Sequence, residues 1–475
     1  MLHLPILRAG VPYHSLERVT LNHVSTGEPV VQVSQANRGL ISRDLLRMAE
    51  HRRVLAGMSS GELLDICRRA AELFHDGTLT LYDDVTQSPQ EFVEQQSSTT
   101  GMPQVMCRNN MEKIRFVMAE MESVLAGLTR GLDLDLLDSG FGEQDGRTVS
   151  YRGETDALGA ILPSNSPGVH SLWIPALALK TPVILKPGSR EPWTPFRIAR
   201  AFQEAGLPPE AVSYYPTDHA GATEILLESG RSMLFGDERT LQGWRTDHRV
   251  QLHGPGWSKV ILDEAAAGNW QEHLDLMVSS IADNGGRSCV NASGVWVPRN
   301  GRAIAEALAE RLARIEALPL DHPEAGLAAF SQPHVAHSIS GFIDTHLKVP
   351  GAEDLTAYHR KERVVEVGGC TFLLPTLIWC SDPSHPLAAS ELLFPFASVV
   401  EVPQAELLQR IGPSLVVSAL TDDDQFRRDL LTSTDVERLN LGPIPTSRVS
   451  WDQPHEGNLF THLYRQRSYQ ETAPA

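Results

Sequence analysis

Residues 281 to 297, IADNGGRSCVNASGVWV, set one cysteine, Cys289, in a loop of small residues ahead of a β-branched apolar run. A thiol is a strong nucleophile only as thiolate, so a nearby cation or a field of backbone N–H groups would activate it. Arg287, two residues earlier, is expected to supply that cation. Asn284, Gly285, Gly286 and Ser288 suit a backbone that turns tightly and approaches a ligand closely. The run Val295 to Val297 reads as a strand. The competing reading of Cys289 is a buried, inert thiol acting as a small hydrophobe.

The elements that position this loop come from the rest of the chain. At 475 residues it has length for two or three domains, and 41% hydrophobic with 21% charged residues is ordinary for a globular protein. The net charge of −18 argues against nucleic acid or an anionic membrane as partner, since phosphates would be repelled. Cysteines 67, 107, 289, 370 and 380 are scattered and form no CxxC pair, which fits a reducing compartment without disulfides. Cys67 lies in a helical pattern and Cys370 and Cys380 flank a strand-like run, so all three read as structural. The histidines between 334 and 385 keep no metal-like spacing, and no metal site is expected. The opening MLHLPILRAG lacks a long apolar core, and a cytoplasmic protein without membrane spans is expected.

Residues 1 to 45 read as irregular, an arm or edge strands. Ser59-x-x-Glu62 reads as a capping box opening a helix. Met111, Ile114, Met118, Met121 and Leu125 predict one helix over about 109 to 131, and Ile304, Leu308, Leu312 and Ile315 another over 300 to 318. Asp145-Gly146, between polar alternating segments, predicts a β-hairpin. From Gly159 the pattern becomes strand, turn, helix, strand, with apolar runs at 159 to 162 and 182 to 185, as in a parallel βαβ unit. The fold class is therefore α/β.

Asn284-x-Gly286-x-x-Cys289 resembles the nucleophile motif of the aldehyde dehydrogenase superfamily, whose usual form has Gln in the place of Arg287. Five further segments between about 140 and 460 follow that family's order. Pro163-Ser164-Asn165 resembles its proline, aromatic, asparagine turn, which implies Asn165 as oxyanion donor and Pro163 beside the cofactor. Lys186-Pro187 resembles its Lys-Pro pair, implying Lys186 on the adenosine ribose, with Ser189 where NAD-preferring members carry glutamate. Phe235-Gly236-Asp237 resembles its pyrophosphate loop at Gly236, with Asp237 in place of serine. Gly368 to Thr376 resembles its glycine-to-Pro-Thr segment, and Glu391-Leu392-Leu393-Phe394-Pro395 its Glu-Ile-Phe-Gly-Pro, implying Glu391 on the nicotinamide ribose and Leu393 beside the ring.

The resemblance implies a Rossmann-type cofactor domain over 1–138 and 154–250, an α/β catalytic domain over 251–455, and a small β oligomerisation arm from 139–153 and 456–475. It also implies NAD or NADP as cofactor, Cys289 attacking an aldehyde to leave a thioester, and a homodimer or homotetramer. One departure affects the chemistry most. The family's Glu-Leu-Gly-Gly, with its general-base glutamate, is here Gln251-Leu252-His253-Gly254, and an amide takes no proton. Either His253 replaces the base and water completes the reaction, or the acyl group leaves to coenzyme A; the second reading is preferred, with reduction of an acyl thioester as the reverse direction. A silent dinucleotide-binding protein on the same fold is the third. Trp173 and Trp296, near the motifs, hint at an apolar substrate.

Overall fold

The structure, a computed structural model, describes residues 1–454 and 456–471. His455 and residues 472–475, at the ends of the expected catalytic domain and arm, lie outside the described residues.

The strand Ala157–Ile161 is buried along its whole length, as an apolar run must be when a parallel sheet is covered on both faces. It is the third strand of a seven-stranded sheet running Val250–His253, Gly230–Phe235, Ala157–Ile161, Val183–Lys186, Val212–Tyr214, Ile6–Arg8, Val11–Tyr13. The first five are parallel and the last two antiparallel. The chain winds outward from Ala157–Ile161 through Val183–Lys186 to Val212–Tyr214, then returns on the other side. That reversal opens a crevice at the strands' carboxyl ends, where open α/β sheets bind ligands.

A second seven-stranded sheet runs Ala352–Asp354, Thr376–Cys380, Phe396–Glu401, Ala292–Val297, Ser258–Leu262, Ser414–Leu420, Val436–Leu441, parallel except at its first edge. Only four residues, 254 to 257, join the two sheets. A third, antiparallel sheet of Phe141–Gln144, Arg147–Gly153 and Tyr464–Arg467 contains the expected hairpin, with Asp145 (φ 50°) and Gly146 (φ 71°) both left-handed as a tight two-residue turn requires. Residues 1–45 are more regular than expected. They give two strands to the edge of the first sheet, a small sheet of Leu2–Leu4, Pro29–Ser34 and Arg18–Asn22, and the helix Arg38–Leu45. The chain is thus α/β with two parallel sheets, and none of its described helices is long and apolar enough to cross a membrane.

The capping box forms as read: Ser59 accepts from the Glu62 N–H and the Glu62 carboxylate accepts from the Ser59 N–H, opening Ser60–Asp76. Three helices differ from expectation. The one over 109 to 131 is two, Gln104–Ala119 and Met121–Thr129, divided at Glu120 (φ −95°, ψ 27°). No Pro or Gly marks that break, and the Met stripe stays in one core across it, so packing decides it. The crossover after Ala157–Ile161 is Pro167–Val169, His170–Trp173 and Pro175–Ala178, where prolines lack the N–H that continues a helix. Gly301–Leu312 ends six residues short of 318, and Ile315 packs on the core from the turn beyond.

The crossover helix Trp193–Glu204 is fixed to the first sheet's helical layer through Arg197, which is fully buried. Its guanidinium donates to the carbonyls of Phe74 (2.9 Å), Gly77 (2.7 Å) and Gln87 (3.1 Å) and stands over the rings of Phe74 and Phe92. Orphan carbonyls at a helix end satisfy a cation well, although burial pushes this guanidinium down to about 10. Arg197→Met, which keeps the volume and removes the donors, is expected to cost about 3 kcal/mol; a urea melt with an unchanged midpoint would contradict this.

Candidate active site

Cys289 lies in the loop that enters Ala292–Val297, and the loop's shape follows from its small residues. Asn284, Gly285 and Gly286 are all left-handed (φ 53°, 67° and 65°), and a Cβ on Gly286 would lie 2.4 Å from the Pro395 nitrogen. Side chains close the turn. Asn284 accepts from Asn110 (2.9 Å) and donates to Ser288 Oγ (3.2 Å), while Asn291 accepts the Ser288 N–H (2.9 Å) and donates to the Asp283 carbonyl (2.9 Å). Asn165 Nδ2 donates to the Arg287 carbonyl at 2.8 Å, which ties the turn after Ala157–Ile161 to the nucleophile loop.

Arg287 does not supply the expected cation. Its guanidinium turns away, donating to the Ala329 carbonyl (2.5 Å) and stacking over Phe330 (5.1 Å). The cation that favours the Cys289 thiolate is Arg438, from Val436–Leu441. Negative groups outweigh it. The Cys289 thiol donates to Glu456 Oε1 at 2.9 Å, and burial together with Glu456 and Glu391 raises its pKa well above the ordinary thiol range.

The structure brings His253 to Glu456 rather than to the thiol. His253 Nδ1 lies 2.6 Å from Glu456 Oε2, so Nδ1 carries the hydrogen, and the ring is stacked on Phe235 (4.3 Å between centroids). Gln251 Nε2, where the family's glutamate would stand, donates to the Glu456 backbone carbonyl at 2.5 Å. Glu456 is left-handed (φ 51°), and Gly457 has φ 91°, a torsion that favours glycine. Sequence reasoning missed Glu456. The signal was a carboxylate in the closing segment of a chain that had lost one at 251.

Residues 254 to 257 pass behind the nucleophile. The Glu391 carboxylate accepts the Gly256 N–H (3.1 Å) and that of Trp257, Lys259 Nζ donates to the Trp257 carbonyl (2.5 Å) and Ser414 (2.9 Å), and Ser258 Oγ donates to the Cys289 carbonyl (2.8 Å). Burial raises Glu391 to about 7 and lowers Lys259 to about 8. Glu391, expected on a ribose, thus bonds backbone amides beside Cys289, and Leu393 is exposed at the surface (42%).

The other sequence-derived residues gather at the crevice of the first sheet. Pro163 and Asn165 follow one strand, Lys186 ends the next, Ser189 lies three residues on, and Gly236 follows Gly230–Phe235. A Cβ on Gly188 would lie 2.4 Å from the Pro163 carbonyl, so the first two turns pack directly together. Half-buried Lys186 and the Ser189 hydroxyl are donors suited to a ribose. Asp237 caps Glu238–Gln242 through Thr240 (2.8 and 2.6 Å), and its negative charge is unfavourable to a pyrophosphate beside it.

A cavity of about 250 Å³ ends at Cys289 and Glu456. Leu172, Val169 and Trp451 line its walls, and Lys113 and Arg448 stand at its outer side. Trp173 and Trp296 are core residues (0% and 2% exposed) that do not line it, so the hint of an apolar substrate drawn from them falls away. Among the described residues no cluster of His, Cys, Asp or Glu is placed to hold a metal ion.

The sequence profile described as "Aldehyde dehydrogenase family" matches residues 17–411. An α-ketoglutarate semialdehyde dehydrogenase of Haloferax volcanii is 27% identical over 286 residues, 55% of this chain and 56% of that protein, so the match spans little more than half of that relative's length. Among solved structures, an NAD+ complex of an aldehyde dehydrogenase from Bacillus cereus superposes with a TM-score of 0.77 at 16% identity, covering 98% of this chain and 96% of the other. Aldehyde dehydrogenase 21 from Physcomitrella patens, in complex with the reaction product succinate, superposes with a TM-score of 0.77 at 14% identity, covering 98% and 97%.

Gly256 offers a test of how tightly the nucleophile is placed, because a Cβ there would lie 1.9 Å from the Cys289 carbonyl. A displacement of about 1 Å costs on the order of 10²-fold in rate. Gly256→Ala is expected to lose activity to that extent while keeping its circular dichroism; full activity would show the loop to be less constrained.

Proposed function

The chain belongs to the aldehyde dehydrogenase family, and we propose that it acts as an NAD(P)-dependent aldehyde oxidoreductase with Cys289 as nucleophile. The observation that carries this is a thiol bonded to a carboxylate at the inner end of a cavity, with the Asn165 amide tied to the same loop. Cys289 Sγ attacks the carbonyl carbon, and the oxygen takes up negative charge that the Asn165 amide and the Cys289 backbone N–H stabilise. Lys186 and Ser189 would hold the adenosine ribose, Gly236 would leave room for the pyrophosphate, and Pro163 and Leu393 would flank the cofactor. The dinucleotide supplies hydride acceptance. Glu391 reaches a ribose only by releasing the Gly256 and Trp257 amides, which would free residues 254 to 257 beside Cys289.

The expected preference for coenzyme A rested on Gln251 and on the resemblance of Asp283-Asn284-Gly285 to acylating members of the family. Glu456 restores a carboxylate beside the thiol, so we carry water as the acyl acceptor and a carboxylic acid as product, with coenzyme A as the other outcome of the test. The substrate we propose is an aldehyde with a carboxylate at its far end, matched to Lys113 and Arg448 at the outer side of the cavity. The semialdehyde in the Haloferax relative's name is of that kind, and succinate, the reaction product in the Physcomitrella structure, is the dicarboxylate that oxidation of such an aldehyde gives. Residues 1–138 and 154–250 form the dinucleotide-binding part and 251–455 the catalytic part in this reading. The hairpin 139–153 and the segment from 456, once past Glu456, form an arm between subunits of a homodimer or homotetramer in the cytoplasm, where a free thiol persists.

Single-turnover kinetics with a panel of aldehydes and both dinucleotides, with and without coenzyme A, test this. A burst of reduced cofactor followed by steady turnover in water is expected. A burst that turns over only with coenzyme A would replace water by the thiol, and no burst with any aldehyde would leave a silent dinucleotide-binding protein. Lys113→Met with Arg448→Met is expected to raise KM for carboxylate-bearing aldehydes about tenfold, as for losing one or two exposed ion pairs, and to leave KM for neutral ones unchanged. Equal changes for both would remove the anionic substrate class.

A further inference from the structure

We infer that Glu456 is the general base at Cys289, replacing from the C-terminal segment the carboxylate that the family carries at the place of Gln251, with His253 as its positioning residue. This rests on the oxidative reading above. Three observations carry it. The thiol already donates to Glu456 Oε1 (2.9 Å), so proton and acceptor are in contact. The second oxygen is held by His253 Nδ1 (2.6 Å), whose ring is stacked on Phe235, and the backbone carbonyl of Glu456 by Gln251 (2.5 Å), so both side chains of the altered motif now hold Glu456. Beside them is a second cavity of about 30 Å³, enough for one water. It is lined by Gln251, His253 and Glu456, and Gln251 Oε1 and His253 Nε2 are buried polar atoms with no hydrogen-bond partner among the described residues. These atoms would hold a water at the base.

The proton balance closes on Glu456. As the S–C bond forms, the thiol proton passes to Oε1 and the carbonyl π pair moves to oxygen. Loss of hydride from that carbon to the nicotinamide restores the C=O bond and leaves a thioester, and Glu456 releases its proton to solvent. Glu456 then accepts a proton from water as the O–C bond forms, the C–S bond breaks, and the departing thiolate recovers that proton. Aldehyde, oxidised dinucleotide and water become carboxylic acid, reduced dinucleotide and one proton.

The charged groups facing the pair are Glu391, Glu437 and Arg438 besides His253. Burial raises the thiol's folded pKa most and the negative charge of Glu456 raises it further, so removing that charge lowers it part of the way back. The alkylation midpoint reports whether that charge acts on the thiol, and the loss of turnover with an accumulating acyl adduct reports whether Glu456 serves as the base. Alkylation of Cys289 by iodoacetamide, followed against pH by mass spectrometry, is expected to have its midpoint above 9.0 in the wild-type protein and lower in Glu456→Gln, so that the variant alkylates faster at pH 8. With the aldehyde giving the largest burst, Glu456→Gln is expected to lose about 10²–10⁴-fold in turnover and to accumulate an acyl adduct on Cys289. A variant that turns over within about threefold of wild type, or alkylates with an unchanged midpoint, overturns the inference. Should Glu456→Gln not fold, Glu456→Asp carries the test: a retained high midpoint with turnover at least about tenfold lower supports the base, and unchanged turnover overturns it. His253→Asn, whose amide still donates, is expected to turn over faster than His253→Ala; equal losses would overturn the positioning role. The alkylation arm needs no aldehyde, so an absent wild-type burst refutes the oxidative reading separately.

Discussion

A carboxylate taken out of water has to be paired, and the Glu456 side chain is only 7% exposed. Among its partners are an imidazole at the end of Val250–His253, a thiol in the loop before Ala292–Val297, and, for its own backbone, an amide on the strand that carries the imidazole. No single segment could satisfy it. The site exists where the end of the first sheet, the entry to the second and the closing segment meet, and each is fixed by what the buried charge requires. The local backbone bears part of the cost, since Glu456 is left-handed and Gly457 takes a torsion that L side chains rarely adopt.

The same surroundings explain why Cys289 rests protonated. Burial disfavours the thiolate most, Glu456 and Glu391 add to that, and Arg438 does not offset them. A thiol that donates to a carboxylate is shielded from adventitious oxidation, which needs thiolate, yet its proton is already in the acceptor's field. Residues 254 to 257 are held by the same economy of charge. Glu391 accepts two of their N–H groups and Lys259 donates to one of their carbonyls, so two ionisable groups hold the four residues of backbone that join the sheets.

Strand positions were legible because parallel strands buried on both faces leave continuous apolar runs, as at Ala157–Ile161, and the tight turn at Asp145-Gly146 needs residues that tolerate positive φ. The nucleophile loop was legible for the same reason: Gly285 and Gly286 have no substitutes at their torsions and contacts. Arg287 was misread because a charge two residues from a thiol in sequence need not share its side of the loop; tertiary carbonyls at Ala328 and Ala329 decide where it points. The break at Glu120 has no local cause at all. Glu456 was missed for a third reason. Its role depends on contacts to residues 167 and 203 positions away, and nothing in the run Pro454 to Gly457 says that it returns to Cys289.

The altered motif therefore changes meaning once the chain is folded. Taken alone, glutamine in the place of a base removes an acceptor, and a different acyl acceptor follows. In the folded chain that glutamine and His253, two residues on, both grip another glutamate, and the carboxylate reaches the thiol from the opposite end of the sequence. A general base is defined by where its oxygen lies and what it can accept, not by the segment that delivers it. The residues at 251 and 456 are mutually consistent: an acidic side chain at 251 would set a second negative charge against Glu456, whereas the amide donates to its backbone.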